Sequence, residues 1–177
     1  MKFKEIILAG FLIFLATAAF GQDASVKADF VMKAIDDVTW PADKGAGSNG
    51  AVVITVVGET PLKAALEKAA AKGTSSGKKV EIRTAAPADD LAGAQVVIIG
   101  VKQLTDLAAV LKKLNGQPVL TISDNGTFAG FGVMIDFLKD KPENGAPVSF
   151  ALNKMSMKES GLKPDETIVK MAKKTYG

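Results

Sequence analysis

Glu59 and Asp124 are the two carboxylates whose positions would suit acid–base work. Glu59 follows the apolar run Ala51 to Val57 and Gly58, and Asp124 follows the run Pro118 to Ile122 and Ser123. In an open α/β sheet, ligands settle beyond the carboxyl ends of the strands, so Gly58-Glu59-Thr60, Gly100-Val101-Lys102 and Ser123-Asp124-Asn125 would line one edge. A carboxylate pair there could pass a proton between substrate and solvent. Caps and turns use the same residue types, and a solvated, non-catalytic edge is the favoured reading. The rest of the inventory is narrow. With no histidine and no cysteine, the usual zinc and copper ligand sets are missing, and neither Ser-His-Asp nor Cys-His machinery can be assembled. The composition points away from an enzyme, and no cofactor or metal is expected.

Two glycine-rich stretches imitate phosphate-binding loops without their context. Gly45-Ala46-Gly47-Ser48-Asn49-Gly50 spells G-x-G-x-x-G, but it precedes a strand instead of joining a strand to a helix, the order the dinucleotide fingerprint needs. It reads as a connector. Gly73 to Lys79 lacks the Ser/Thr of a P-loop and also precedes a strand. Asn125-Gly126-Thr127 matches a glycosylation acceptor, yet Asp-Asn-Gly is first a turn former, with deamidation as a side risk. Phe128-Ala129-Gly130-Phe131-Gly132 sets two aromatics three apart among small residues. Such rings serve either as anchors for a protein partner or as a plug under a bend. Phe128 and Phe131 therefore join Glu59 and Asp124 as candidate partner- or ligand-binding residues. Trp40, the single tryptophan, is expected to pack onto the core.

These residues need a frame, and the hydrophobic pattern supplies one. Ser25 to Asp36 has helical spacing, with Asp23 as a candidate cap. Ala51 to Val57 and Ala94 to Gly100 are continuous apolar runs, as in strands buried on both faces. Between them, Thr60 and Pro61 open a helix to about Ala71 that stops at Gly73, and Lys79 to Arg83 alternates as a strand. A helix over Gln103 to Leu114, ended by Asn115-Gly116, leads to the strand Pro118 to Ile122. Gly132 to Leu138 and Val148 to Leu152 then read as an antiparallel hairpin. A terminal helix, Asp165 to Lys174, is expected after Pro164, with Lys170, Lys173 and Lys174 toward its end, where the helix dipole favours cations. The fold class is α/β: a mostly parallel sheet covered by helices, with a C-terminal antiparallel hairpin and terminal helix.

Lys2 and Lys4 precede an apolar run from Ile6 to Phe20, with small residues at Ala19 and Gly21. This is the pattern of a cleaved secretory signal peptide over residues 1–21, and the run is shorter than the roughly 20 residues a membrane-spanning helix requires. The remainder, 22–177, is expected to be one α/β domain working outside the cytoplasm. Removing Lys2, Lys4 and Glu5 lowers the net charge of +3 by one unit. Lysines are dispersed among acids, so no nucleic-acid surface and no stable membrane insertion after cleavage are expected.

The ordered landmarks are Trp40-Pro41, Val57-Gly58 with Pro61-Leu62, Val97-Ile98-Ile99-Gly100, Pro118-Val119-Leu120-Thr121-Ile122-Ser123-Asp124 with Phe128-Ala129, Gly132-Val133-Met134-Ile135 with Phe137, Val148-Ser149-Phe150 with Asn153, and Gly161-Leu162. Their order resembles the YfiR/HmsC-like family of periplasmic proteins over nearly all of the chain beyond residue 21. The resemblance implies a small α/β regulator, often a homodimer. Its best-known members hold an inner-membrane diguanylate cyclase inactive by binding its periplasmic sensor domain, restraining cyclic-di-GMP signalling and biofilm formation. Others accompany histidine kinases or outer-membrane receptors. This chain departs at Val133, where the family has a second glycine, at Lys163-Pro164-Asp165, and in lacking the cysteines that tune the best-studied regulator. The expected function is a non-enzymatic periplasmic regulator of an inner-membrane sensor. The alternative is a small-molecule-binding module using the strand-end crevice.

Overall fold

The computed structural model describes residues 24–42 and 50–177. The signal-peptide segment, the Asp23 cap and most of the Gly45–Gly50 motif lie outside the described residues. The described chain opens in a helix, α1, over 24–36, followed by a two-residue strand, β1 (Val38–Thr39). Then come β2 (Val52–Gly58), α2 (Leu62–Ala70), β3 (Val80–Ala85), β4 (Val96–Gly100), α3 (Leu104–Leu114) and β5 (Leu120–Ser123). A 3-10 turn (Phe128–Phe131) leads to β6 (Ile135–Phe137), β7 (Phe150–Asn153), α4 (Lys154–Glu159), β8 (Lys163–Pro164), α5 (Glu166–Met171) and β9 (Lys174–Tyr176).

Seven strands form one sheet in the order β3-β2-β4-β5-β6-β7-β9. The first five are parallel, β7 runs antiparallel to β6, and β9 is parallel to β7. The expected mostly parallel α/β sheet with an antiparallel hairpin is what the chain adopts. β1 and β8 pair separately as a small antiparallel ribbon.

Burial on both faces explains the continuous apolar runs. Side chains alternate across a strand, so Val52, Ile54 and Val56 of β2, with Val96 and Ile98 of β4, join one apolar layer, while Val57, Val97 and Ile99 join the other. The first layer is covered by α1, α2 and α5, the second by α3 through Leu107, Val110 and Leu114. Phe30 on α1 stands against Phe137 (ring centroids 5.8 Å apart, planes at 72°) and Phe150 (4.8 Å), pinning the first described helix onto the hairpin. Trp40 packs half-buried against the same layer.

One expectation about the chain's last third is corrected, and one element is added. The terminal helix, expected over Asp165 to Lys174, is shorter: Asp165 caps it through the Thr167 amide at 2.7 Å, and it ends at Met171. Ala172 is extended, and the Lys173 amide donates to the Phe150 carbonyl at 3.0 Å. The open edge of β7 offers backbone partners, and a β-branched Thr175 beside an aromatic Tyr176 suits a strand better than a helix end. Lys173 and Lys174 therefore lie beyond the helix, and Lys173 reaches Asp140 (3.3 Å) and Glu143 (3.0 Å) in the hairpin turn. The added element is α4, too short to show a helical period in the sequence. Asn153 caps it by accepting the Ser156 amide at 2.9 Å.

Candidate functional site

At the carboxyl ends of β2 and β4 two glycines allow a close approach of backbones. Gly58 has φ of +80°, and a Cβ on Gly100 would lie 2.7 Å from the Glu59 carbonyl oxygen. β3 is reached on one side of β2 and β4 on the other, so this is the point where ligands settle in open α/β sheets. A crevice of about 660 Å³ opens there, lined by Glu59, Thr60, Lys63, Thr84 and Lys102. Its helix offers little to an anion. The Leu62 amide of α2 is taken by the Thr60 hydroxyl at 3.2 Å and the Lys63 amide by the Thr60 carbonyl at 3.3 Å, so the first amides of α2 are already engaged.

Glu59 and Asp124 are not brought together. Glu59 is exposed in the crevice, whereas Asp124 follows β5, two strands away across β4, a spacing of about 10 Å. Asp124 is occupied: the Lys27 ammonium of α1 donates to it at 3.0 Å, with both side chains mostly shielded. This geometry ties a helix to a strand end and supplies no acid–base couple.

The polar centre of this region is Asp136, a fully buried acid in the apolar strand β6. It sits opposite Ser123 in the parallel register of β5 and β6, and the Ser123 hydroxyl donates to it. Its Oδ1 also accepts the amides of Asn125 (3.3 Å) and Gly126 (3.0 Å), and its Oδ2 those of Phe128 (2.7 Å) and Ala129 (3.3 Å). A buried carboxylate is tolerated when its lone pairs are met in this way. Asn153 holds the other side of the turn, donating from Nδ2 to the Ala129 carbonyl at 2.8 Å. Asp136 and Asn153 thus fix the 3-10 turn. The one signal for Asp136 in the sequence is a lone acid inside the run Val133 to Leu138.

That turn separates the two aromatic candidates. Phe128 is 2% exposed and belongs to the apolar layer under α3, so it plugs the core and has no surface for a partner. Phe131 is 57% exposed. Beside it Gly130 faces the Tyr176 ring, where a Cβ would stand 3.7 Å from the hydroxyl oxygen. Met155 on α4 is 55% exposed and packs next to Gly177, which follows Tyr176. Through Gly130 and Gly177, Phe131, Tyr176 and Met155 come to neighbouring positions, a grouping the sequence pattern does not show because Met155 and Tyr176 arrive on the unforeseen α4 and β9. A shallow cleft of about 170 Å³ adjoins it, with Leu111, Val119 and Met134 at its base and Ser156 and Glu159 on its rim. The Lys174 ammonium lies 4.6 Å from the Tyr176 ring centre, and Lys154 adjoins Met155 in sequence.

Among the described residues, no cluster of three or more acidic side chains could hold a metal ion, and no helix is long and apolar enough to cross a membrane. A family model described as YfiR/HmsC-like matches residues 24–173. No curated protein matches the chain. A solved structure described as the ABC domain in complex with L-Trp from Streptococcus pneumonia is similar at 12% identity and a TM-score of 0.49 over 73% of this chain. This chain spans 57% of that one's length, and a likeness at this level carries no functional weight.

Proposed function

Because the chain belongs to the YfiR/HmsC-like family, we propose that it is a periplasmic, non-catalytic regulator that binds the sensor ectodomain of an inner-membrane signalling protein and restrains its output. The partner is a diguanylate cyclase or a histidine kinase. The family match across residues 24–173 supports this reading, since the best-known members of that family restrain diguanylate cyclase signalling and are not catalysts.

The docking face in this reading is the surface of Phe131, Tyr176 and Met155. Restraint follows from population shift: a partner bound more tightly in its off-state is held there. A single well-buried aromatic anchor contributes about 2 kcal/mol or more, and about 1.4 kcal/mol already corresponds to a tenfold preference. Phe131 is the residue placed to supply it.

Deleting the gene and measuring cyclic-di-GMP, together with capture of membrane proteins on the immobilised chain, tests the reading. A rise in cyclic-di-GMP or in kinase output, with recovery of the cognate sensor, is expected. Unchanged output of both kinds with no sensor captured would overturn it.

A further inference from the structure

Three described Asn-Gly pairs lie in turns: Asn115-Gly116, Asn125-Gly126 and Asn144-Gly145. In such pairs the glycine nitrogen can attack the asparagine side chain, because glycine has no side chain to obstruct the ring that forms. The nitrogen gives up its proton to water and bonds to the Asn Cγ. The Cγ–Nδ2 bond breaks as Nδ2 takes a proton back from water, and it leaves as ammonia, giving a cyclic imide. Water then opens the imide to aspartate or isoaspartate, and no oxidant or reductant takes part.

The structure treats the three pairs differently. The Gly126 amide donates to Asp136 at 3.0 Å, and the adjoining Asn125 amide donates to the same oxygen at 3.3 Å. The Thr127 hydroxyl occupies the Asn125 side-chain oxygen at 2.5 Å. Asp136 is itself fully buried and anchored by Ser123, Phe128 and Ala129. Its negative charge opposes the loss of a proton from the nitrogen it holds. Asn115, Gly116, Asn144 and Gly145 are all exposed. No acceptor among the described residues takes the Gly116 or Gly145 amide.

We propose that this chain modifies itself by deamidation at Asn115 and Asn144, and that Asp136 exempts Asn125. The two changes have different consequences. A carboxylate at 115 adds charge to the rim of the cleft beside Phe131. At 144 it removes the donor that reaches the Ala172 carbonyl at 3.4 Å, where the chain leaves α5 for β9.

The test is a time course of the purified full chain in mildly alkaline buffer, with each site followed by peptide mapping that separates aspartate from isoaspartate. In urea all three sites are expected to convert at comparable rates. In the folded chain Asn115 and Asn144 convert, while Asn125 lags them by roughly tenfold or more, the factor matching one hydrogen bond to a charged group. Asp136→Asn brings Asn125 toward its unfolded rate. Should that variant fail to fold, amide exchange on the native chain decides: Gly126 is expected to exchange slowly and Gly116 and Gly145 fast. Conversion of Asn125 as fast as Asn115 in the folded chain, inert Asn115 and Asn144, or equal exchange at the three glycines would each overturn the proposal.

Discussion

Asn153 joins two elements with one side chain: its Nδ2 donates to the Ala129 carbonyl at 2.8 Å, and its Oδ1 accepts the Ser156 amide at 2.9 Å. The turn that carries Phe131 and the helix that carries Met155 are thereby held to a common point. Asn153→Ala is expected to lose about 1–3 kcal/mol of stability, the cost of leaving a helix amide without its cap and the buried Ala129 carbonyl with only the longer bond from the Gly132 amide, at 3.3 Å. Asn153→Asp keeps the cap and loses the donor, so it should fall between the two in a urea denaturation series. Equal midpoints for all three proteins would refute the shared role.

Phe128 and Phe131 are three residues apart and should respond oppositely to truncation. Phe128→Ala empties a core position and is expected to cost about 3–5 kcal/mol, visible as a large drop in unfolding midpoint. Phe131→Ala should change stability by less than about 0.5 kcal/mol while weakening capture of the sensor ectodomain by about tenfold or more. A Phe131→Ala protein that binds as the native chain does would remove this face from the docking surface.

Asp36 sets part of the acid response. Partial burial pushes its carboxyl upward, but donation from the Ser76 hydroxyl and amide and the Lys78 ammonium outweighs burial and holds the group below its ordinary range. The Ser76 hydroxyl lies at 2.6 Å, its amide at 2.8 Å and the ammonium at 3.1 Å. The unfolded chain takes up this proton at higher pH than the folded one. The stability it contributes is therefore complete above the unfolded value of about 3.9 and is lost as pH falls through the folded value. Asp165 is shifted the same way by the Thr167 side chain and amide. Thermal melts of Asp36→Asn should start lower at neutral pH and fall less steeply on acidification; parallel curves would disprove the assignment.

Gly100 and Gly130 separate close approach from ordinary spacing. A methyl group at 100 would collide with the Glu59 carbonyl at 2.7 Å, whereas at 130 it would rest 3.7 Å from the Tyr176 hydroxyl. Gly100→Ala is expected to cost about 1–3 kcal/mol by forcing two strand ends apart, and Gly130→Ala much less. Denaturant midpoints of the two single variants check the contrast.

The parallel core was legible because doubly buried strands write themselves as largely apolar runs: Val96–Gly100 has no polar side chain and Val52–Gly58 only Thr55, while Leu120–Ser123 alternates apolar and hydroxyl residues and was legible from its place after a helix. Helix caps were legible where the chemistry is local, as at Thr60. The C-terminal third was not. Lys163 to Tyr176 alternates between a two-residue strand, a six-residue helix and a three-residue strand, each decided by a distant partner such as Phe150 or Thr39. The candidate surface was half visible for the same reason. Phe131 stands in a recognisable aromatic pair, but its neighbours arrive from elements too short to leave a periodic trace.

The edge-on contact of Phe30 with Phe137 and its tilted contact with Phe150 make the first described helix and the late hairpin a single unit in assembly. Synthesis delivers Phe30 before either partner ring, so until the hairpin emerges its ring has only the earlier strands and α2 of the same apolar layer to rest on.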